Sequence, residues 1–415
     1  MSDKKRLVIA GGGAAGFFAA INAALLCPDL EVIIFEKTHK LLSKVRISGG
    51  GRCNVTHHCF EPPTLSQHYP RGYKELLSAF YQFGPQQMIS WLAQRHVKLK
   101  VEEDGRMFPV SDSSETVIDC FLSEAKNAGV KIITGVGVSS FMKTENLFQI
   151  SLSDQTIMQS NYLLIATGGH PNAKGYDPVS KNTEHGLVPP VPSLFTFNIP
   201  DSPFKGLEGV ATEAEVKFEG FSYSSIGPLL FTHWGISGPA VLKLSAYAAR
   251  WLAQHSYNAN LEMNFVPGHN EHQIKESIEA YRKLHPRLIV HNFKIFEGIP
   301  QRLWQRLCVH ASINDQVQAA HLTKKQMNNM VLTLMHFKTR MMGKTTFKEE
   351  FVTSGGVALH EINMKTMESK KVSGLFFAGE VIDVDGITGG FNFQAAWTTA
   401  MLAAKQIAAK CQSIG

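Results

Sequence analysis

The chain opens on a change of hydrophobic period. Leu7 to Ala10 are four consecutive apolar residues, the pattern of a strand buried on both faces. A glycine cluster at 11–13 separates them from an alanine-rich, helix-like segment that runs to Leu26. EVIIFEK at 31–37 is a second apolar run, so residues 7–37 predict strand, turn, helix and strand. Lys37 to Thr56 reads as a loop. Helical patterns follow at 74–83 and 85–95, with Gly84 ending the first and Pro85 in the first turn of the second. KLKVEEDGRMFPV, 98–110, reads as a hairpin turning at Asp104-Gly105. Asp112-Ser-Ser-Glu115 has the form of a capping box and opens a helix that Gly129 ends. Short strands at 130–134, 136–142 and 148–152 lead into a buried strand at 162–166.

From about residue 186 the texture changes. VPPVPSLFTFNIP carries four prolines and predicts a crossover into an inserted region. Segments 194–199, 213–219, 227–232 and 259–265 read as short strands of a small antiparallel barrel or sandwich. Pro239 starts a helix after FTHWGISG, and 271–340 reads as mostly helical. FKEEFVT, 347–353, reads as a strand returning from the insertion, and 372–409 as strand, glycine loop and helix. At 415 residues the chain is too long for one ordinary core. The expected architecture is α/β. A Rossmann-like domain is built from both chain ends, 1–189 and 355–415. It is interrupted by a barrel-like β-rich insert, 190–270 with 341–354, and a helical insert, 271–340.

Composition narrows the function. The net charge is +6, from 41 Lys+Arg against 35 Asp+Glu, and the basic residues are dispersed. That suits an anionic cofactor and a small-molecule substrate, and no nucleic-acid partner is expected. Lys4-Lys5-Arg6 before the uncharged run 7–28 imitates a signal peptide or a membrane span. The glycines at its centre, and a strand–turn–helix reading that uses every residue, argue against both, so no membrane partner is expected. Six cysteines without C-x-x-C fit a reduced, cytoplasmic protein. No H-E-x-x-H occurs and no catalytic metal is expected; no G-x-S-x-G or P-loop supports a hydrolase or kinase. Nothing in the sequence fixes the oligomeric state.

The chemistry begins at Gly11, Gly13 and Gly16, which fit G-x-G-x-x-G between strand and helix. Gly11 permits the tight turn, Gly13 lets the backbone approach a pyrophosphate, and Gly16 lets helix and strand pack closely. The helix N-terminus at Ala14 and Ala15 offers free N–H groups and a positive dipole end. Glu36, with Lys37 beside it, lies twenty residues past Gly16 and is placed to bond a ribose diol. These residues predict a dinucleotide without saying which.

The far end of the chain decides. GLFFAGE, 374–380, is an apolar strand ending in Gly379-Glu380, with Asp383 beyond and Gly389-Gly390 opening a last helix. This layout resembles the glutathione reductase/fumarate reductase-like flavoprotein superfamily, as does Thr167-Gly168-Gly169 closing a strand. The resemblance implies FAD. Glu380, Asp383 or Asp385 would bond the ribityl chain, the last helix would face the flavin, and the backbone of Val138 would hold adenine. No second G-x-G-x-x-G occurs, so NADH or NADPH would act only as a transient donor.

SGGGRCNVT (48–56), DGRMFP (104–109), FTHWGISGPAVL (231–242), TSGGV (353–357) and GLFFAGEVIDVDGITGGFNFQAA (374–396) occur in this order. Together they resemble the BaiN-like family of NAD(P)/FAD-dependent oxidoreductases, also labelled aminoacetone oxidase family FAD-binding enzymes. The resemblance places Ser48, Gly49, Gly50, Gly51, Arg52 and Asn54 close to the flavin. Arg46 and Arg52 would supply charge, and Asn392 and Gln394 would donate at the flavin edge. His233 and Glu361 are candidates for acid–base work, whereas Cys53 reads as a packed residue. The expected function is hydride transfer between flavin N5 and a small organic substrate. An oxygen-using amine oxidase and a non-catalytic redox sensor or binding module stand as alternatives, with a nucleic-acid-modifying flavoprotein the weakest.

Overall fold

The computed structural model describes residues 4–345 and 352–413, which fall into two compact units, 1–193 with 347–415 and 194–346. The first is built on a seven-stranded sheet. Its parallel part contains β1 (Arg6–Ala10), β2 (Glu31–Glu36), β3 (Lys131–Thr134), β4 (Tyr162–Ile165) and β5 (Leu375–Phe377) in the order 5-4-1-2-3. Two short strands, Ile362–Asn363 and Glu368–Ser369, extend the β5 edge antiparallel. Val8 pairs with Ile33 on one side and Leu163 on the other, and β1 is buried from Leu7 onward. β1 is thus the point from which successive connections run to opposite sides, the place where open α/β sheets bind ligands beyond the strand C-termini.

Three helices order that end of the sheet: α1 (Ala14–Leu26), α2 (Glu115–Asn127) and α3 (Phe391–Gln412). α1 packs along α3 and against α2. The contact is aromatic, with the Phe18 ring 4.9 Å from Trp91 and 5.5 Å from Trp397, and Phe121 5.4 Å from Trp397. Edge-on aromatic pairs of this kind add about 0.5–1.5 kcal/mol each beyond their buried area. The indole nitrogens are also satisfied, Trp91 donating to Asn22 Oδ1 and Trp397 to the Val55 carbonyl. Trp397 therefore belongs to the core and locks the two helices on which the glycine loops depend.

The second unit is all-antiparallel in its sheet, ordered 337–342, 258–264, 211–218, 224–232, 235–237, 196–198, 344–345. The two edge strands are separated in sequence by Gly343 alone, so the sheet curls back on itself in the manner of a barrel. Thr212, Ala214, Val216 and Phe218 alternate inward, as period-two patterning requires. Leu303, Trp304 and Leu307 of helix Gln301–His310, and Met330 of helix Lys324–Met335, join the same hydrophobic cluster as the strands.

Several local expectations differ from the structure. Residues 43–51, read as loop, begin with a helical turn that Ser48, in an extended conformation, breaks. The capping box at 112–115 does not form: Ser114 caps without its side chain, while Asp112 is drawn to Lys100 and Arg52. Residues 337–340, the end of the segment read as mostly helical, belong to strand Phe337–Met342, which starts before the boundary expected for the β-rich insert at 341. The returning strand expected at 347–353 lies outside the described residues up to 351; strand Val352–Val357 pairs with Leu187–Ser193 in the first unit.

Candidate functional site

The site assembles where β1, β4 and β5 end. Gly11 runs at φ +115°, and a Cβ there would meet the Ala166 carbonyl oxygen at 2.4 Å. A Cβ on Gly16 would fall 2.0 Å from the Gly11 oxygen. Both glycines are therefore required by the chain's own packing. Gly13 is different: as N-cap of α1 it has open space where a Cβ would stand. Gly50, Gly51 and Gly168 are open in the same way. No acidic side chain occupies the first turn of α1 and no side chain caps it. Its amides, with about half a positive charge at the helix end, are left for an anion. This open, uncapped cradle fits the pyrophosphate of FAD.

Around the cradle the predicted residues take distinct parts. Glu36, at the end of β2, accepts from Gly12 N and Thr38 N, both at 2.9 Å, which fixes a carboxylate beside the glycine turn. Val136 N donates to the Glu36 carbonyl, bringing 136–138 and exposed Lys37 to the same edge. Thr167, Gly168 and Gly169 leave β4 towards Glu380, whose Oε1 accepts from Thr353 N at 2.7 Å and whose Oε2 pairs with Lys44. Thr353 Oγ1 and Ser354 Oγ are buried without a hydrogen-bond partner among the described residues. The first lies beside Glu380, at 2.5 Å from where a Cβ on Gly169 would stand. A buried hydroxyl without a partner costs about 1–3 kcal/mol, so one beside the Glu380 carboxylate is open to a polar ligand group.

The C-terminal loop is held from both ends of the chain. Gly379 has left-handed φ, comes against the first turn of α1 at Ala15, and donates to Thr399 Oγ1 at 2.9 Å. Asn54, with its amide oriented to satisfy both neighbours, accepts from Gly390 N at 2.9 Å and donates to the Thr56 carbonyl. A Cβ on Gly390 would meet that carbonyl at 2.6 Å. The 48–56 motif and the Gly389-Gly390 pair are thus one construction, although 336 positions separate Asn54 and Gly390. Asn392 brackets Gly386, accepting from its N–H at 2.8 Å and donating to its carbonyl at 2.9 Å. Phe391 is buried between His57 and His68, with ring centroids 4.7 and 4.3 Å away.

Other predicted groups are committed elsewhere. Gln394 is fully buried and spends its amide on Thr56 and Thr398. Arg46 pairs with Glu115, and Arg52 with Glu102 and Asp112, its guanidinium stacked 4.0 Å above Phe108. Ser48 bonds its own turn at Val45. Asp385, one of three carboxylates in the C-terminal loop, is completely buried and bound by Arg71 and Ser193. Burial holds its carboxyl above the usual range against the pull of Arg71. Glu361 accepts from Gly186 N at 2.7 Å and from Lys371 at 2.6 Å; burial pushes its carboxyl up, but these two partners outweigh it and leave it below the usual range. Such a group stays ionised and occupied, which does not suit a proton donor. Cys53 is buried and its thiol is pushed up to about 12. His233 is in the other unit, exposed in the turn between strands Ser224–Thr232 and Gly235–Ser237.

Sequence reasoning passed over Arg71, Tyr69 and the Thr353–Ser354 hydroxyls. Tyr69 is buried and donates to the Phe391 carbonyl at 2.6 Å, steadying the first residue of α3. The TSGGV motif was the available signal for the hydroxyls; Arg71 had none.

Comparison with known proteins places these features in a wider set. The family described as HI0933-like protein Rossmann domain matches residues 5–406. A ribosomal RNA dihydrouridine synthase of Haemophilus influenzae is 31% identical over 418 residues, covering 98% of this chain and 99% of that protein. A 3-dehydro-bile acid delta(4,6)-reductase of Clostridium scindens is 28% identical, covering 97% and 99%. Among solved structures, the 3-ketosteroid delta1-dehydrogenase of Sterolibacterium denitrificans superposes with a TM-score of 0.51 at 12% identity, covering 98% of this chain and 99% of that one. Among the described residues no helix is long and apolar enough to cross a membrane.

Proposed function

The chain belongs to the HI0933-like Rossmann family and is an FAD-dependent oxidoreductase, and from that premise we propose that it reduces a carbon–carbon double bond conjugated to a carbonyl, the uracil ring of ribosomal RNA first among its substrates. The observation that carries this reading is the end-to-end match to a ribosomal RNA dihydrouridine synthase at 31% identity. Dihydrouridine is uridine saturated at a double bond conjugated to a ring carbonyl. A delta(4,6)-reductase acting on a 3-dehydro compound removes the same kind of bond, so the two relatives' names share one chemistry.

Bound FAD would supply the hydride, which a protein cannot provide from its side chains. The chain's part is to hold and orient. The α1 amides and the open face of Gly13 take the pyrophosphate, and Glu36 takes the adenosine ribose. Glu380, kept in place by Thr353 N and Lys44, is the acceptor for ribityl hydroxyls, with Asp383 three residues further along the same loop. The N-terminus of α3, fixed by Asn54, Tyr69 and Asn392, directs positive potential at the flavin, where reduction builds negative charge. NADH or NADPH is the reductant in this reading. With no second dinucleotide fingerprint, the nicotinamide is held only for the transfer.

A small enone is the second reading, favoured by the 28% identity to the bile acid reductase. Anaerobic incubation of the flavin-loaded protein with NADH or NADPH separates the two. One arm uses ribosomal RNA lacking dihydrouridine, the other an enone bile acid. Dihydrouridine in digested RNA, a mass gain of about 2 Da per uridine on adding two hydrogens, supports the first. Reduction of the enone alone overturns it in favour of the second. Substrate turnover that needs oxygen and no nicotinamide overturns both and favours an amine oxidase.

A further inference from the structure

The unit 194–346 distributes charge unevenly. Residues 281–345 hold eleven Lys/Arg against two Asp/Glu, a net of +9, whereas the whole chain carries only +6. Among the described residues, only Arg282 of those eleven forms an ion pair with a carboxylate, Glu279. A net charge of this size on one segment opposes compaction by self-repulsion, which an anionic partner would relieve.

Two of them are already oriented. Arg302 and Arg306 stand one turn apart on helix Gln301–His310, and each gives one Nη2 bond to a backbone carbonyl, Gly206 and Lys205 respectively. Their remaining donors border an open cavity of about 620 Å³, which Gln305, His291 and Asn292 also line. Asp315 is on its rim, and Glu208 lies within electrostatic reach of both Arg302 and His233. Neither carboxylate pairs with either arginine among the described residues. Next to His233, Trp234 is 65% exposed, while its carbonyl is fixed by Ile199 N at 2.8 Å. An exposed indole on a turn with a pinned carbonyl, in the same unit as two tethered guanidinium groups and linked to them through Glu208, supplies a stacking surface to go with the phosphate donors.

We propose that this face of the unit 194–346, centred on Arg302, Arg306 and Trp234, binds RNA, the arginines holding phosphates and the indole stacking on an unpaired base. The proposal rests on the ribosomal RNA reading above and deepens it. The carbonyl tethers limit the freedom the guanidinium groups lose on binding, and the arginines' contribution is independent of sequence.

The test uses the full-length, flavin-loaded protein and a fluorescent ribosomal RNA hairpin with an unpaired loop, titrated across a range of salt. Arg302→Gln with Arg306→Gln keeps a neutral donor for each carbonyl while removing two charges. Two phosphate contacts to single-stranded RNA contribute about 1.4 to the slope of log affinity against log salt, so the double variant is expected to bind about tenfold more weakly near 0.15 M and to show a slope flatter by that amount. Trp234→Ala is expected to weaken binding about tenfold with an unchanged slope. Melting temperature and flavin content show whether each variant is folded. Arg302→Lys with Arg306→Lys is expected to keep most of the affinity. Wild-type binding that both the Gln pair and Trp234→Ala leave unchanged overturns this face while leaving the RNA reading intact. A wild-type protein that binds no ribosomal RNA at low salt overturns the face and the RNA reading together.

Discussion

Replacing Arg71 with methionine isolates a single buried carboxylate. Asp385 has no exposed surface and receives Arg71 Nε at 2.5 Å, a second bond from Arg71 Nη2, and Ser193 Oγ at 2.9 Å. Removing one partner of a buried pair costs about 3–5 kcal/mol, because the other charge is left stranded. Ser193 remains, so a loss of about 3 kcal/mol is expected. Burial already holds the Asp385 carboxyl above its unfolded value, and losing Arg71 raises it further. An acid with a raised folded pKa takes up protons more readily when folded, so its contribution to stability falls as pH rises through the interval between the two values. The deficit of Arg71→Met is therefore expected to be largest near pH 7.5 and to shrink towards pH 5.5. The loop 379–390 is part of the cradle proposed for the cofactor, so urea-induced release of flavin, read by its fluorescence, is expected to report on this unit without mixing in residues 194–346. Arg71→Met with Asp385→Leu is expected to recover most of the loss, as apolar replacement of a buried pair often does. An Arg71→Met protein within about 1 kcal/mol of wild type, or one whose deficit grows at pH 5.5, would refute the reasoning.

Three further outcomes follow from the same geometry. Glu361→Gln is expected to leave the rate of flavin reduction unchanged while costing about 1–3 kcal/mol of stability at neutral pH. Because its folded carboxyl lies below the ordinary value, that stability is present above the unfolded pKa and is lost as pH falls through the folded one, so variant and wild type should converge in acid. The Cys27 and Cys411 sulfurs lie 3.0 Å apart, joining the end of α1 to the end of α3. Burial holds the Cys411 thiol up to about 11, so a diazene oxidant should cross-link the pair slowly at pH 7 and faster in alkali, read as a 2 Da mass loss and a gel shift absent in Cys411→Ser. Asn392→Ala removes both bonds to Gly386 and is expected to weaken FAD retention about tenfold by equilibrium dialysis.

The sequence made the cradle legible because its parts are local. Gly11 to Gly16 must turn, approach and pack within six residues, and the helix they open begins at once. The last glycine loop was readable for the same reason. What joined the two was not: Asn54 meets Gly390, and Arg71 meets Asp385, across more than 300 positions, and no period or spacing encodes such a meeting. Gln394 sits at a helix start where donors often serve a ligand, but its side chain turns inward to Thr56 and Thr398. The capping box at 112–115 failed because Lys100 and Arg52 compete for Asp112 more strongly than a local cap does. The charge reading shows the cost of averaging: a total of +6 conceals a segment at +9.

The most direct measurement is the flavin content of Gly13→Val. Gly13 has extended backbone, φ −90° and ψ −168°, which valine adopts readily, and its Cβ position is free of any protein atom within 4 Å. The first carbon of a side chain there therefore meets no protein atom, and valine acts by filling the space assigned to the pyrophosphate. The expected result is a folded, colourless protein with the wild-type melting temperature of its flavin-free form and no FAD released on denaturation. A folded Gly13→Val protein that carries FAD at the wild-type ratio would contradict the cradle and the assignment built on it.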